Sequence, residues 1–476
     1  MTSWLERALR RLRDERSGAS LVLFAVILLP LVGIVGLATD VTRGYLVKSK
    51  LGDALDAAAL AGAHEVLSGT NFQSDIEMFF AANFPSNFMD AEVVLAPPDV
   101  DADKEVIALS ASALVPTTFL HLLGIDSFTV SSDTEVTRRT KSMDVVLSID
   151  MSGSMGWDDG TGSSRISAAR AAATSLINNL FGDDLTKELL KIGVVPWSAK
   201  VNVTLDGTVF DDTLTTTEVV SSFVNPITGA SQSVVYHPDN SPVPFLAPPP
   251  ANWQGCVYAR YLDDASAGND ADDLLGPVTT GGTDWMAWEH VGEEGEPSPD
   301  GTCDDCRACL PHGITALTNS KTPLVDAIAA LTSPHGTTNI AQGLAWAWRV
   351  LSPGAPFDDA DPDPEGQHER IIVLLTDGQH WGSEGDGYKA AFGTGTDAGP
   401  DGMDDRLRAI ADNVKADGIK IYTIQFYHDS GPLQNLMHDV ATEPNAPYYH
   451  FAPDGNALAT VFQEVANHLS ELRLSK

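Results

Sequence analysis

The chain reads as an α/β protein: a doubly wound, mainly parallel sheet with helices on both faces, preceded by a transmembrane helix and a small α+β neck. Three observations predict this. First, continuous apolar runs alternate with helical stretches over the C-terminal two thirds, beginning with Val145-Val146-Leu147-Ser148-Ile149 and recurring at Ile371-Ile372-Val373-Leu374-Leu375. Such runs read as strands buried on both faces, and their alternation with helices builds a parallel sheet. Second, Leu21 to Ala38 contains no charge, and about 18–20 apolar residues suffice for one membrane crossing. Third, residues 67–141 carry β-rich pieces, Val106 to Val115 and Phe128 to Val136, with partial period-two alternation.

Taken in order, residues 1–20 are basic: Arg7, Arg10, Arg11, Arg13 and Arg16 precede the apolar run. Arginines before the span and acidic protein after it place the N-terminus in the cytoplasm and export the body. Gly36-Leu37-Ala38 loosely resembles a signal-peptidase site, but the apolar run exceeds a usual signal core, so residues 21–39 are expected to stay as an anchor. Pro30, Gly33 and Gly36 are tolerable in a membrane helix. Residues 40–66 continue as a helical stalk, with Leu51, Leu55, Ala58, Ala59 and Gly62 at helical spacing. Its small-residue surface either packs on the stalk's own domain or serves as a subunit-packing spine.

The main domain is expected over 142–476. Helices are predicted at Arg165 to Leu180, Thr322 to Leu331, Ile340 to Leu351, Arg406 to Lys415 and Gly455 to Leu472. Further strands are predicted at Lys191 to Trp197, Ile419 to Phe426 and Tyr448 to Phe451. Between about 199 and 321 the pattern stops, in a stretch rich in Pro, Gly, Asp and Trp. It reads as an insertion, because a structureless loop of that length is unusual in a compact domain. It holds all four cysteines, Cys256, Cys303, Cys306 and Cys309. Export favours two disulfides, with three connectivities open; a tetrahedral zinc site is the alternative, and a Cys303–Cys306 redox centre a third option. Trp253, Trp285 and Trp288 form either a local core or a recognition surface.

A formal net charge of −36 excludes a phosphate-backbone partner. Acidic loops such as Asp358 to Glu365 and Asp263-Asp264 match no ordered calcium-loop pattern and read as solvated. The chemistry concentrates elsewhere. Asp150-Met-Ser152-Gly-Ser154 ends the first apolar run, Thr338-Asn339 precedes a helix, and Thr376-Asp377-Gly378 ends another run. Ligands of open α/β sheets sit beyond the carboxyl ends of the strands. Asp150, Ser152, Ser154, Thr338 and Asp377 gathered there make a cage of hard oxygens suited to a divalent cation, Mg²⁺ first, with Mn²⁺ or Ca²⁺ also acceptable. Neutral hydroxyl donors leave such a cation able to accept a partner's carboxylate. The bland alternative is that these polar residues cap helices and turns. No His-Glu-x-x-His, Gly-x-Ser-x-Gly or Walker A sequence occurs, which points to binding rather than to an enzyme. His335 and His380 flank the metal loops and read as loop-surface or hydrogen-bonding residues.

Those three pieces resemble the metal-ion-dependent adhesion site of von Willebrand factor A domains. The resemblance implies that Ser152, Ser154 and Thr338 ligate the metal directly, and Asp150 and Asp377 mostly through water. A second resemblance lies in Arg16-Ser-Gly18-Ala19, Ala38-Thr-Asp40-Val-Thr-Arg43-Gly-Tyr45 and Leu51-Gly-Asp53-Ala-Leu-Asp56-Ala-Ala-Ala59. These look like the N-terminus of TadG-type proteins of tight-adherence (Flp) pilus systems, in which a pilin-like membrane helix is joined to an A domain. Trp253-Gln-Gly-Cys256-Val-Tyr-Ala-Arg260 resembles a motif of that family's insertion. No Glu follows Gly18 at the spacing that prepilin peptidase substrates carry, which again favours a retained anchor. The resemblance implies a single-pass protein of the bacterial inner membrane that binds other pilus or secretion-system proteins through an acidic residue at the metal, with an oligomer compatible. The rivals are an exported metal-dependent hydrolase and a cytoplasmic co-chaperone of an ATPase; the latter fits neither the span nor the cysteines.

Overall fold

The computed structural model describes residues 19–65, 72–100, 106–137, 141–205, 209–260, 272–280, 283–291, 309–362, 368–381 and 400–474. The N-terminal arginines, Gly18, Asp263, Asp264, Cys303 and Cys306 lie outside them. The chain divides into two compact units, Met1–Arg139 and Thr140–Lys476.

In the first unit, span and stalk are one continuous helix, α1 (Ala19–Glu65), which runs through Pro30. It is long and apolar enough to cross a membrane. Its first half exposes Leu23, Phe24, Val26 and Ile27, whereas its second half buries Val47, Leu51, Ala54, Leu55, Ala58 and Ala59. The buried face packs on α2 (Phe72–Asn83) and on a four-stranded antiparallel sheet of β1 (Glu92–Leu95), β2 (Asp99–Val100), β3 (Val106–Pro116) and β4 (Ser127–Thr137). Gly62 makes the helix contact close: a Cβ there would lie 2.8 Å from Ile76 Cγ1. The stalk therefore packs on its own domain. Period-two burial along β3 sends Ile107, Leu109, Ala111, Ala113 and Val115 into that core.

In the second unit the element order is β5 (Ser142–Asp150), α3 (Arg165–Phe181), β6 (Leu190–Trp197), β7 (Val201–Leu205), β8 (Thr216–Val224), β9 (Ser231–His237), β10 (Cys256–Val257), β11 (Val278–Thr280), β12 (Thr283–Trp285), β13 (Gly313–Thr318), α4 (Lys321–Ala330), α5 (Ile340–Val350), β14 (His368–Thr376), α6 (Pro400–Ala416), β15 (Lys420–Phe426), α7 (Gly431–Val440), β16 (Tyr449–Ala452) and α8 (Gly455–Leu474). The eight-stranded sheet runs β10-β7-β13-β6-β5-β14-β15-β16. From β6 to β16 every neighbouring pair is parallel, and β13 joins β6 antiparallel. Met143, Val145, Leu147 and Ile149 of β5 meet α3, α4 and α8 on one face. Val146 shares the other face with α5, α6 and α7. This is the doubly wound arrangement that the apolar runs predict. Gly343 lets α5 close on the sheet, because a Cβ there would come within 2.4 Å of Trp197 Nε1.

Residues 199–321 enter the architecture more deeply than an insertion would. Strands β7, β10 and β13 extend the main sheet, while β8–β9 and β11–β12 form separate two-stranded sheets. The short β7, β10 and β13 lie among Pro-, Gly- and Asp-rich segments, so periodicity does not reveal them. Trp253, Trp285 and Trp288 are all buried, Trp253 and Trp288 in the core shared with α5. They are core residues. Cys256 and Cys309 are joined in a disulfide, which withdraws both sulfurs from a four-cysteine zinc site.

Candidate metal centre

Two adjacent parallel strands end on polar residues at this site, β5 on Asp150 and β14 on Thr376. At the end of β5, Asp150 is fully buried, and its Oδ1 accepts the Ser152 N–H at 2.7 Å. That is a local turn closure, so part of the capping alternative holds. Asp150 does more, however: its Oδ2 accepts the hydroxyl of Thr376, the last residue of β14, at 2.8 Å. Ser152 Oγ and Ser154 Oγ are 3.1 Å apart, and Ser154 Oγ donates to Asp377 Oδ1 at 2.6 Å. Thus four of the five predicted residues, Asp150, Ser152, Ser154 and Asp377, form one chain of polar contacts.

Thr338 reaches the same place by backbone stitching. Gly153 N–H donates to Gly336 carbonyl at 3.0 Å, and His335 N–H to Met151 carbonyl at 2.9 Å. Thr338 and Trp381 exchange two backbone hydrogen bonds of 2.8 and 3.0 Å. Asn339, not Thr338, caps α5, accepting the Gln342 N–H, which leaves the Thr338 hydroxyl outside the cap. Ser154, Thr338 and Asp377 line one cavity of about 780 Å³, together with Arg165, His380 and Tyr427.

Two buried carboxylates in one site repel. Burial first, and then the Asp377 charge, pushes Asp150 up to about 7. Burial also raises Asp377, against the opposing pull of hydrogen bonds from Arg165 and Ser154. The Arg165 guanidinium donates to Asp377 Oδ2 at 2.8 Å, with both side chains buried. It also lies over the Tyr427 ring at 3.9 Å and the Trp157 ring at 5.5 Å, both cation–π arrangements, and its Nε donates to the Asp158 carbonyl at 3.3 Å. Tyr427 is held at φ 63, the left-handed region that non-glycine residues enter at a cost.

The donor set fits a divalent cation. It offers hard carboxylate and hydroxyl oxygens, and a dication there neutralises the carboxylate pair whose repulsion raises Asp150. Among the described residues no group of three His, Cys, Asp or Glu side chains could hold a metal; this site has two carboxylates and relies on hydroxyls for the rest.

Of the two flanking histidines, His380 is buried in the cavity wall with Nδ1 2.7 Å from Asp404, and burial lowers its pKa. His335 is partly exposed and bonds locally to Ser333. The sequence assigned no site role to Arg165 or Thr376, nor to His428, which also lines the cavity. A signal existed for Arg165. A cation opening a helix faces the positive end of its dipole, so a compensating anion is to be expected nearby.

Comparison with known proteins agrees with this architecture. Residues 18–65 match the profile of the Flp pilus-assembly TadE/G-like family, and residues 313–464 that of the von Willebrand factor type A domain. The second match contains Thr338 and Asp377 and begins after Asp150, Ser152 and Ser154, which β5 brings alongside. Comparison with curated proteins gives no match. Among solved structures, the pilus adhesin SpaC from Lactobacillus rhamnosus GG aligns at 11% identity and TM-score 0.34, over 80% of this chain and 34% of its own. This chain thus spans about a third of that adhesin's length. The vWF domain of the type V pili tip protein Mfa5 from Porphyromonas gingivalis aligns at 12% identity and TM-score 0.36, over 71% and 97%. The PilB minor pilin from Streptococcus sanguinis aligns at 13% identity and TM-score 0.34, over 81% and 79%. The chain carries, in this order, a TadE/G-like pilus-assembly segment and a von Willebrand factor type A domain.

Proposed function

We propose that this protein is a membrane-anchored, metal-dependent binding component of adhesive pilus assembly or anchoring, with α1 as the anchor and the body exported. The observation that carries the metal-dependent part is the convergence of Asp150, Ser152, Ser154 and Asp377 in one chain of polar contacts, of which Ser154 and Asp377 line a cavity. A divalent cation held by these residues and Thr338 supplies an open coordination position for a carboxylate of a partner protein. The chain's own residues do the positioning. Thr376 and the Ser152 N–H hold Asp150, while Ser154 and Arg165 hold Asp377. Trp157 and Trp381, both largely exposed, line the same cavity and offer apolar surface beside the incoming acidic group.

The test is titration of the full chain with Mg²⁺, Mn²⁺ and Ca²⁺, followed by crosslinking in membranes with and without chelator. Asp150→Ala and Asp377→Ala are expected to abolish cation binding and cation-dependent crosslinks while the circular dichroism spectrum stays unchanged. Crosslinks to partner proteins that survive chelation would overturn the mechanism.

A hydrolase reading draws on one observation, the buried His380–Asp404 pair in the cavity wall. A neutral imidazole oriented by a carboxylate is a competent general base. Metal-dependent turnover of generic ester or phosphodiester substrates, lost in His380→Ala, would favour it; binding without turnover is the expected result.

A further inference from the structure

The loop between β3 and β4 is apolar where the surface of a soluble module would be polar. Phe119, Leu122, Leu123 and Ile125 expose 37%, 76%, 71% and 47% of their surface. Large apolar side chains gathered like this, rather than scattered singly, mark an interaction surface. The backbone of this loop is nonetheless closed on itself. Asp40, a buried carboxylate of α1, accepts the N–H groups of Thr118, Phe119 and Leu120 at 2.9, 2.9 and 2.7 Å. Leu122 donates to Phe119, Gly124 to His121, Ile125 to Leu120 and Thr117 to Asp126. Seven backbone N–H groups of the loop, those of Thr117, Thr118, Phe119, Leu120, Leu122, Gly124 and Ile125, are thus bonded within the protein, which lowers the cost that otherwise keeps irregular backbone out of lipid.

The same contacts fix the loop to the apolar half of α1. Phe119 sits over Gly36, where a Cβ would come within 2.5 Å of the phenylalanine Cβ. Further along, Leu120, Leu122 and Leu123 line a groove of about 410 Å³ with Ala25, Leu28 and Val32. At a rise of about 1.5 Å per residue, Leu28 lies about 18 Å along α1 from Asp40, comparable with half of a ~30 Å hydrocarbon core.

We propose that residues 117–126 are a second membrane element, which enters the bilayer beside α1 in the leaflet facing the rest of the chain. Its occupant is lipid. The loop shares its groove with Ala25, Leu28 and Val32 of the span, so whatever solvates the span at that level solvates the loop. The groove against Ala25 and Leu28 takes an acyl chain. The loop's polar side chains, His121 and Asp126, contact each other at 2.6 Å and are largely exposed, which suits the headgroup level rather than the hydrocarbon. This inference rests on the membrane-anchor reading above.

The experiment places a benzophenone amino acid at position 122 of the full chain. The protein is reconstituted in vesicles of phosphatidylethanolamine and phosphatidylglycerol carrying a clickable acyl chain. Position 28 reports on the span, and position 219, 82% exposed in β8, serves as the water-facing control. Lipid adducts at position 122 are expected within about threefold of those at position 28 and at least tenfold above those at position 219. Adducts at position 28 but not at 122 would overturn the loop proposal alone. Absence of lipid adducts at both would overturn the anchor with it. Adducts at position 122 joining two copies of the chain would overturn lipid as the occupant and make the loop a subunit contact.

Discussion

Arg165 and Asp377 form a buried ion pair, Nη1 to Oδ2 at 2.8 Å, that holds a candidate metal carboxylate from the first residue of α3. The guanidinium lies between that carboxylate and the ring of Tyr427. It thus orients one oxygen of Asp377 and leaves the other to Ser154. A cation would meet a carboxylate already turned towards it.

Replacing Arg165 by Met should therefore destabilise the metal-free protein by about 3–5 kcal/mol at pH 8, the usual cost of leaving one partner of a buried pair uncompensated. A saturating divalent cation should recover part of that loss, because it supplies positive charge beside Asp377. Urea denaturation with and without Mg²⁺ measures both quantities. Wild-type stability in the variant would show that the pair is dispensable.

Asp150 predicts a pH dependence of definite sign. Its folded-state pKa is raised to about 7 by burial and by Asp377, above its ordinary carboxylate value of 3.8. A raised pKa adds stability that is fully present at pH below the ordinary value and is lost as pH rises through about 7. The metal-free protein should lose stability as pH rises from about 4 to about 7, whereas its affinity for Mg²⁺ should rise, since binding releases the proton. Asp150→Asn should flatten this part of the stability profile and abolish the cation response. Thermal melts at several pH values, paired with calorimetric titration, give both readings.

Asp272 is the buried ion-pair partner of Arg349. Arg349 Nη2 lies 3.1 Å from its Oδ1, the backbone N–H of Arg260 donates to the same oxygen, and Gln342 donates to its other oxygen. Both guanidinium groups also lie against the Trp288 ring. Asp272→Ala should cost about 3–5 kcal/mol by leaving the Arg349 cation uncompensated. Asp272→Asn keeps hydrogen bonds without the charge and should lie between the two. Chemical denaturation of the three proteins ranks them.

The Cys256–Cys309 disulfide closes a sequence separation of 53 residues. In the chain-entropy account a loop of that size is worth about 4 kcal/mol, and measured losses run from about 2 to 5. Cys309→Ser should lower stability within that range and should raise hydrogen exchange first in β10 and β7, the pair at that edge of the sheet. An unchanged exchange pattern would show that strand pairing alone holds the edge.

The parts that could be read from the sequence were those with long-range periodicity or closely spaced motifs. Strands β5, β14 and β15 announce themselves because burial on both faces demands uninterrupted apolar runs. The span is similarly explicit, since nothing else requires 18 uncharged residues. The sheet edge was not legible: β10 is two residues long, and β7 is stabilised by its pairing with β6, β10 and β13 rather than by its own pattern. Arg165 belongs to the same class. Its meaning depends on Asp377, 212 residues away.

By itself, the sequence determined the kind of sheet and the presence of an apolar helix ahead of it, because each depends on local composition, and it offered five candidate ligands through a motif resemblance. Tertiary structure alone decided that the stalk packs on its own domain, that the tryptophans are core and that residues 199–321 extend the main sheet. It also set the site's charge balance. Repulsion between Asp150 and Asp377, and its relief by Arg165, are Coulomb terms set by distance and burial, and neither quantity exists until the chain has folded.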